Sequence, residues 1–263
     1  MAFLQMTYFS RALGKTTRMN LFLPEYAEGP WKVLWLLHGW SEDCTAWQRY
    51  SSAERYTDPL QMAVVMPDAH LSFYNDMVHG PKYFTHITDE LPEMVARMFP
   101  VSRKREDNFI AGLSMGGYGA MKIALTLPEQ YAGAGCFSAS NFAAAFADKN
   151  SKLRMDDPQW LGWMDDIFGE EFEHLPGSKQ DLTTLADRLL AEGRPAPAVY
   201  HCIATGDGGY DNAQIMRRYF ESRKGDPFRY RYSEGPGVHD WRFWDAHMEE
   251  CLQHFGLLQP GTT

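Results

Sequence analysis

The sequence predicts an α/β fold: a mostly parallel, doubly wound sheet with helices on both faces and an antiparallel hairpin at its N-terminal edge. Three observations predict it. Runs that are apolar on both faces, such as "KVLWLLHG" (32–39) and "MAVVMPDA" (62–69), read as central parallel strands. These runs alternate with stretches of helical periodicity, which implies βαβ units. At one strand-to-helix junction, "GLSMGGYGA" (112–120) sets a serine among glycines, where packing alone would call for bulk.

The elements follow in order. "QMTYFS" (5–10) and "TRMNLFLP" (17–24) alternate as half-buried strands do, with "ALGK" (12–15) as the turn between them. The central strands at 32–39 and 62–69 come next, the second ending at Pro67. "YFTHITDELPEMVARMF" (83–99) places most of its apolar residues at helical spacing, and Pro92 marks a kink or the helix's true start. "NFIAGLS" (108–114) is a strand, "MGGYGAMKIALTLP" (115–128) a helix and "YAGAGCFSAS" (131–140) a strand. "AVYHCIATG" (198–206) and "FRYRYSEG" (228–235) complete the strands. "NAQIMRRYFESRK" (212–224) and "DWRFWDAHMEECLQHFG" (240–256) complete the helices. Residues 141–180 break the rhythm with acidic, aromatic and turn residues. They read as an insertion or lid over a site, within one domain spanning 1–263.

Composition narrows the function. The chain has 263 residues, 44% of them hydrophobic, and a net charge of −9. Acidic residues spread along the chain disfavour nucleic acid and anionic membrane as partners. Cys44, Cys136, Cys202 and Cys251 lie far apart, which suits neither a zinc cage nor a disulfide framework. No window is long and apolar enough to cross a membrane, and the first twenty residues do not read as a signal peptide. A cytoplasmic protein is the expectation, with self-association left open.

The chemistry centres on "GLSMG", which matches the G-x-S-x-G nucleophile elbow. A very tight turn lets the Ser114 hydroxyl stand clear of the sheet, and Gly112 and Gly116 allow strand and helix to approach. The helix beginning near Met115 then aims its free N–H groups at the reacting carbon. A serine hydroxyl needs a base, and the base an orienting acid. Loops after later strands offer both. "CIATGDGGYDN" carries Asp207 and Asp211, and "EGPGVHDW" carries His239. Asp207, first after the strand, is favoured as the acid, and Asp211 reads as a helix N-cap. His247 and His254 fall within the last helix, and His38 ends a strand as a satisfied core residue would. The amides of Met115 and of Trp40, in "HGWSED", are the candidate oxyanion donors.

Trp40, Trp47, Phe73, Tyr74, Trp160, Trp163, Trp241 and Trp244 crowd the loops expected at the mouth, and Trp47, Tyr74 and Trp241 are the candidate substrate contacts. Bulk near Trp40 points to short acyl esters, acetyl to butyryl, carried on a carbohydrate or aromatic alcohol. Such hydrolysis needs no metal or cofactor. A metal-dependent hydrolase using Asp68 and His70 of "PDAH" would lack a third ligand at recognisable spacing. An acyltransferase would use the same triad, with an alcohol or thiol in place of water. A non-catalytic, sugar-binding relative would keep the fold without needing all three triad positions filled.

"LLHGWSEDCTAW", "HGPKYFTHITDELPEMV", "GLSMGGYGAMKIAL", "GDGGYDN" and "GVHDWRFW" together resemble the esterase D-like α/β-hydrolases, on the side of the bacterial tributyrin, acetyl and feruloyl esterases. The resemblance runs from about residue 5 to 255. It implies an α/β-hydrolase fold, the triad Ser114, Asp207 and His239, and an oxyanion hole at Trp40 and Met115. Relatives usually carry a G-T-E-D run where this chain has "ATGDGGYDN". S-formylglutathione hydrolases of the same superfamily differ at the oxyanion loop, so Cys44 is not read as their cysteine, and a thioesterase is the second reading.

Overall fold

A computed structural model describes residues 1–149, 151–155 and 157–259. Eight strands form one sheet: β1 (Ala2–Ser10), β2 (Lys15–Leu23), β3 (Val33–Leu37), β4 (Ala63–Pro67), β5 (Asn108–Leu113), β6 (Gly133–Phe137), β7 (Ala198–Ala204) and β8 (Arg231–Gly235). Their order is β1-β2-β4-β3-β5-β6-β7-β8. β2 pairs antiparallel with β1 and with β4, and every pairing from β4 through β8 is parallel. The α/β-hydrolase sheet and its antiparallel opening hairpin are therefore as expected.

The helices are α1 (Ala46–Tyr50), α2 (Ala53–Thr57), α3 (Tyr83–Thr85), α4 (Leu91–Met98), α5 (Met115–Thr126), α6 (Phe142–Ala147), α7 (Pro158–Phe168), α8 (Leu182–Ala191), α9 (Tyr210–Glu221) and α10 (Trp241–His254). They cover both faces. Trp47 of α1, Ala53 of α2 and the Phe243–Trp244–Met248 side of α10 share one core with Leu34, Leu36 and Val64. Residues of α4, α5, α7, α8 and α9 share the other with Val33, Trp35 and Ile110. β3 to β7 are buried on both faces, which is why their sequences show no polar alternation.

Two details depart from the expected elements, and Pro92 takes the second of its two expected roles. Pro92 sits in the first turn of α4, and a π-helical turn over His86–Glu90 leads into it, so the proline starts a helix without breaking the rod. The last strand begins at Arg231, three residues later than the apolar pattern suggests. The 141–180 segment holds α6, α7 and a 3₁₀ stretch over Gly169–His174, so it is largely helical; Asn150 and Asp156 within it lie outside the described residues. Among the described residues no helix is long and apolar enough to cross a membrane, and all four cysteines are buried and free.

Candidate active site

The chain turns from β5 into α5 at one residue. Ser114 has φ 51° and ψ −120°, a region that non-glycine residues enter at a cost of roughly 1–3 kcal/mol. Its amide donates to the Phe137 carbonyl of β6 at 2.8 Å, which pins the turn to the sheet. A Cβ on Gly112 would overlap the Gly116 carbonyl, and a Cβ on Gly116 would overlap the carbonyls of Leu37 and His38. Glycine is required at both positions because β3, β5 and α5 meet there. Ser114 itself remains partly exposed, whereas Met115 through Leu125 are buried, so the N-terminal end of α5 points its field at the serine from a low-dielectric setting.

The turn after β7 and the turn before α10 are tied together. Thr205 donates to Gly235 at 2.9 Å and Gly206 to Gly237 at 3.0 Å. This brings Asp207 Oδ2 within 2.7 Å of His239 Nδ1. Asp207 Oδ1 accepts from the Gly209 amide at 2.8 Å. Burial pushes the Asp207 carboxyl up, but the hydrogen bonds from His239 and Gly209 outweigh this and hold it below the ordinary carboxylate range. An ionised carboxylate only accepts, so Nδ1 carries the proton toward Asp207 and Nε2 is left as the basic nitrogen. The Asp207 side chain is 2% exposed and that of His239 42%, so the acid is buried and the imidazole reaches solvent. Trp244 meets the imidazole edge-on, 5.0 Å between centroids.

Ser114, Asp207 and His239 line a single cavity of about 210 Å³, with Ser138, Ala139, Ser140, Phe142, Leu153 and Ile203. Asp211 is exposed in the first turn of α9, and the N-cap there is Gly209, which corrects the expectation that Asp211 caps the helix.

The loop after β3 also reaches the serine, since a Cβ on Gly39 would lie 3.5 Å from the Ser114 Cβ. Neither the Trp40 amide nor the Met115 amide donates to an acceptor among the described residues. His38 is fixed between two backbone partners: Nε2 accepts from Ala69 N at 2.9 Å, so Nδ1 donates to the Gly39 carbonyl at 2.8 Å. Burial pushes the His38 imidazole down, as the neutral form in this pattern requires. Glu42 was not anticipated from sequence. One of its oxygens accepts from Gly39 N at 2.9 Å and the other from Trp241 Nε1 at 2.8 Å, joining this loop to the helix that follows His239.

Two of the aromatic candidates do not reach the mouth. Trp47 is 1% exposed and donates from its indole to the Leu37 carbonyl at 2.9 Å, inside the core. Tyr74 is fully buried against α5, and its hydroxyl donates to the His38 carbonyl at 2.9 Å. Both support the site from below, which corrects their expected role as substrate contacts. Trp241 is half-buried, edge-on to Trp47 and held by Glu42, and it lies outside the cavity lining. Trp40 packs with Phe73 and Trp163 outside the cavity lining, joined to it through the contact of Phe73 with Phe142. Asp68 accepts from the His70 amide at 3.0 Å, and no group of three or more His, Cys, Asp or Glu side chains suited to a metal occurs among the described residues.

Lys122 is the other unanticipated feature. It is buried on α5, with Nζ donating to Gln180 Oε1 at 2.8 Å, to the Tyr74 carbonyl at 3.3 Å and to Asn75 Oδ1. Burial, with Lys179 nearby, pushes its ammonium down to about 7.

The family model described as "Putative esterase" matches residues 10–255. The chain belongs to the esterase family. This esterase is 28% identical over 264 residues to an acetyl esterase of Caldicellulosiruptor saccharolyticus, with 96% of this chain and 97% of the relative aligned. Among solved structures it is similar to FphF, a fluorophosphonate-binding serine hydrolase of Staphylococcus aureus. That match has a TM-score of 0.85 and 32% identity, over 98% of this chain and 99% of FphF. It is also similar to the S-formylglutathione hydrolase FrmB of Staphylococcus aureus, at a TM-score of 0.82 and 32% identity, over 97% and 98% of the two chains. Membership makes the protein a carboxylic ester hydrolase acting on small-molecule esters.

Proposed function

We propose that this esterase is a serine carboxylesterase for short acyl esters, acetyl to butyryl, in which Ser114 is the nucleophile, His239 the base and Asp207 the orienting acid. The observation that carries it is the 2.7 Å Asp207–His239 pair opening into the same cavity as Ser114. Ser114 Oγ attacks the ester carbonyl and passes its proton to His239 Nε2. The tetrahedral oxyanion is received by the amides of Trp40 and Met115. Collapse expels the alcohol, which leaves with the proton from His239, and the acyl group stays on Ser114. Water, activated by the same imidazole, releases the acid and restores the serine. All bonds are made and broken by these groups, without a cofactor.

The acyl side of the site is small. Ala139, Phe142, Leu153 and Ile203 form the apolar wall of a cavity that holds only about 210 Å³ in all, which supports short acyl chains. The Ser140 hydroxyl is buried there with no partner among the described residues, and offers a hydrogen bond to a polar substrate atom. The aromatic flank at Trp40 and Trp163 favours an alcohol with a sugar or aromatic face. Four free buried cysteines support a reducing compartment such as the cytoplasm. Thioester hydrolysis is the second reading, favoured by the likeness to FrmB. Cys44 is buried outside the cavity lining, and burial pushes its thiol up to about 11, which supports no role for it there.

The test is a p-nitrophenyl ester series from acetate to octanoate, with S-acyl glutathiones in parallel, for the wild type and Ser114→Ala. The proposal expects turnover greatest from acetate to butyrate and a fall of roughly 10³-fold or more in Ser114→Ala. Equal turnover in the two proteins would remove Ser114 from the mechanism, and a preference for the thioesters would favour the second reading.

A further inference from the structure

We propose that β1 is the contact between two copies of this chain, through an antiparallel β1–β1 pairing centred on Met6 that makes one continuous sheet across a two-fold axis. β1 is the outermost strand, bonded only to β2, in unbroken register from Ala2 opposite Leu23 to Ser10 opposite Lys15. Among the described residues, no backbone hydrogen bond outside that ladder involves residues 2–9, so one side of the strand presents unused N–H and C=O groups.

Sheet edges left open are ordinarily guarded by charge, proline, a bulge or brevity. β1 has none of these. It runs for nine residues without a charged side chain or a proline, and the ladder register shows no bulge. The opposite edge shows what guarding looks like, since β8 has five residues and carries Arg231 and Glu234.

The sequence also specifies the partner. Along β1 the exposed side chains are Phe3, Gln5, Thr7 and Phe9, and the half-buried ones are Leu4, Met6 and Tyr8. Read in either direction from Met6, the strand has the same chemistry: Gln5 and Thr7, then Leu4 and Tyr8, then Phe3 and Phe9. An antiparallel pairing about Met6 therefore sets Phe3 opposite the partner's Phe9, Gln5 opposite the partner's Thr7 and Leu4 opposite the partner's Tyr8. Each face keeps its own kind of neighbour. Moving the axis to Gln5 sets Phe3 against Thr7, and moving it to Thr7 sets Phe3 against Arg11. A one-residue slip exchanges the faces altogether. Only the Met6 register sets Phe3 and Phe9, which are 41% and 64% exposed in the single chain, opposite one another. Ser114 follows β5, which β2, β4 and β3 separate from β1 in the sheet, so the pairing leaves both cavities open.

Sedimentation velocity at tens of micromolar tests this, with Thr7→Lys as the disrupting variant. The wild type is expected at twice the chain mass and Thr7→Lys at one, with p-nitrophenyl acetate turnover unchanged as the sign of an intact fold. The register is read separately by mixing Gln5→Cys with Thr7→Cys under mild oxidation; the four native cysteines are buried. The mixture is expected to cross-link faster than either variant alone. A monomeric wild type, a dimeric Thr7→Lys, or cross-linking no faster in the mixture would each overturn the proposal.

Discussion

Asp207 and Asp211 are four residues apart, and the structure separates them by burial. Asp207 is enclosed and bonded to His239, whereas Asp211 stands in solvent on α9. Asp207→Asn should therefore lower kcat on p-nitrophenyl acetate by roughly 10²- to 10⁴-fold, since it removes the acceptor that fixes the imidazole tautomer. Asp211→Asn should stay within about twofold, and equal losses in the two would refute the assignment. At this scale the sequence was legible where chemistry constrains chain order: a serine on a glycine-stripped turn, then an acid and a histidine on later loops. It was less legible for aromatic residues, because a tryptophan at the start of a short helix looks the same in sequence whether its indole faces solvent or, like Trp47, donates to a buried carbonyl.

At the scale of elements, the loop after β3 depends on a carboxylate that no motif marks. Losing a charge-assisted hydrogen bond is worth about 1.5–3 kcal/mol. If Glu42 holds the Gly39–Trp40 turn for the transition state, Glu42→Ala should reduce kcat by about 10- to 100-fold with KM little changed. Glu42→Gln, which keeps an acceptor for Gly39 N, should recover part of the loss. A change in KM alone would assign Glu42 to substrate binding. α5 carries a second consequence through Lys122. Its pKa of about 7 in the fold lies below the ordinary 10.5, so between these values the unfolded chain binds more protons than the native one. Stability from this residue therefore rises with pH, by up to about 1.4 kcal/mol per unit, and its burial cost is felt in full below pH 7. Thermal melts of wild type and Lys122→Met from pH 6 to 10 should converge or cross as pH rises, and a constant offset would contradict this. Neither residue was foreseen, because a lysine in a helix and a glutamate in a loop are ordinarily solvated. α6 and α7 were also missed. "FAAAFA" is too short and too uniformly apolar to show a period, and α7 starts from Asp157 and Pro158 amid turn residues. α8 carried a readable signal in Asp181, Leu182, Leu185, Ala186 and Leu189, obscured by the irregular stretch before it.

For the whole molecule, the sheet was readable because its central strands are apolar on both faces and alternate with helical stretches, a combination that a covered parallel sheet satisfies. Its N-terminal edge was readable from the alternation of the opening hairpin, whereas the start of β8 at the other edge was not, because apolar Phe228 and Tyr230 precede the strand. The molecule that results sets a strained serine over a helix N-terminus, backed by one buried acid and one exposed imidazole. The most direct test of that account is covalent labelling with a fluorophosphonate, followed by peptide mapping by mass spectrometry. A single adduct on the peptide containing Ser114, formed at least 10²-fold more slowly in His239→Ala, is the predicted result. An adduct elsewhere, or labelling of Ser114 at an unchanged rate without His239, would contradict it.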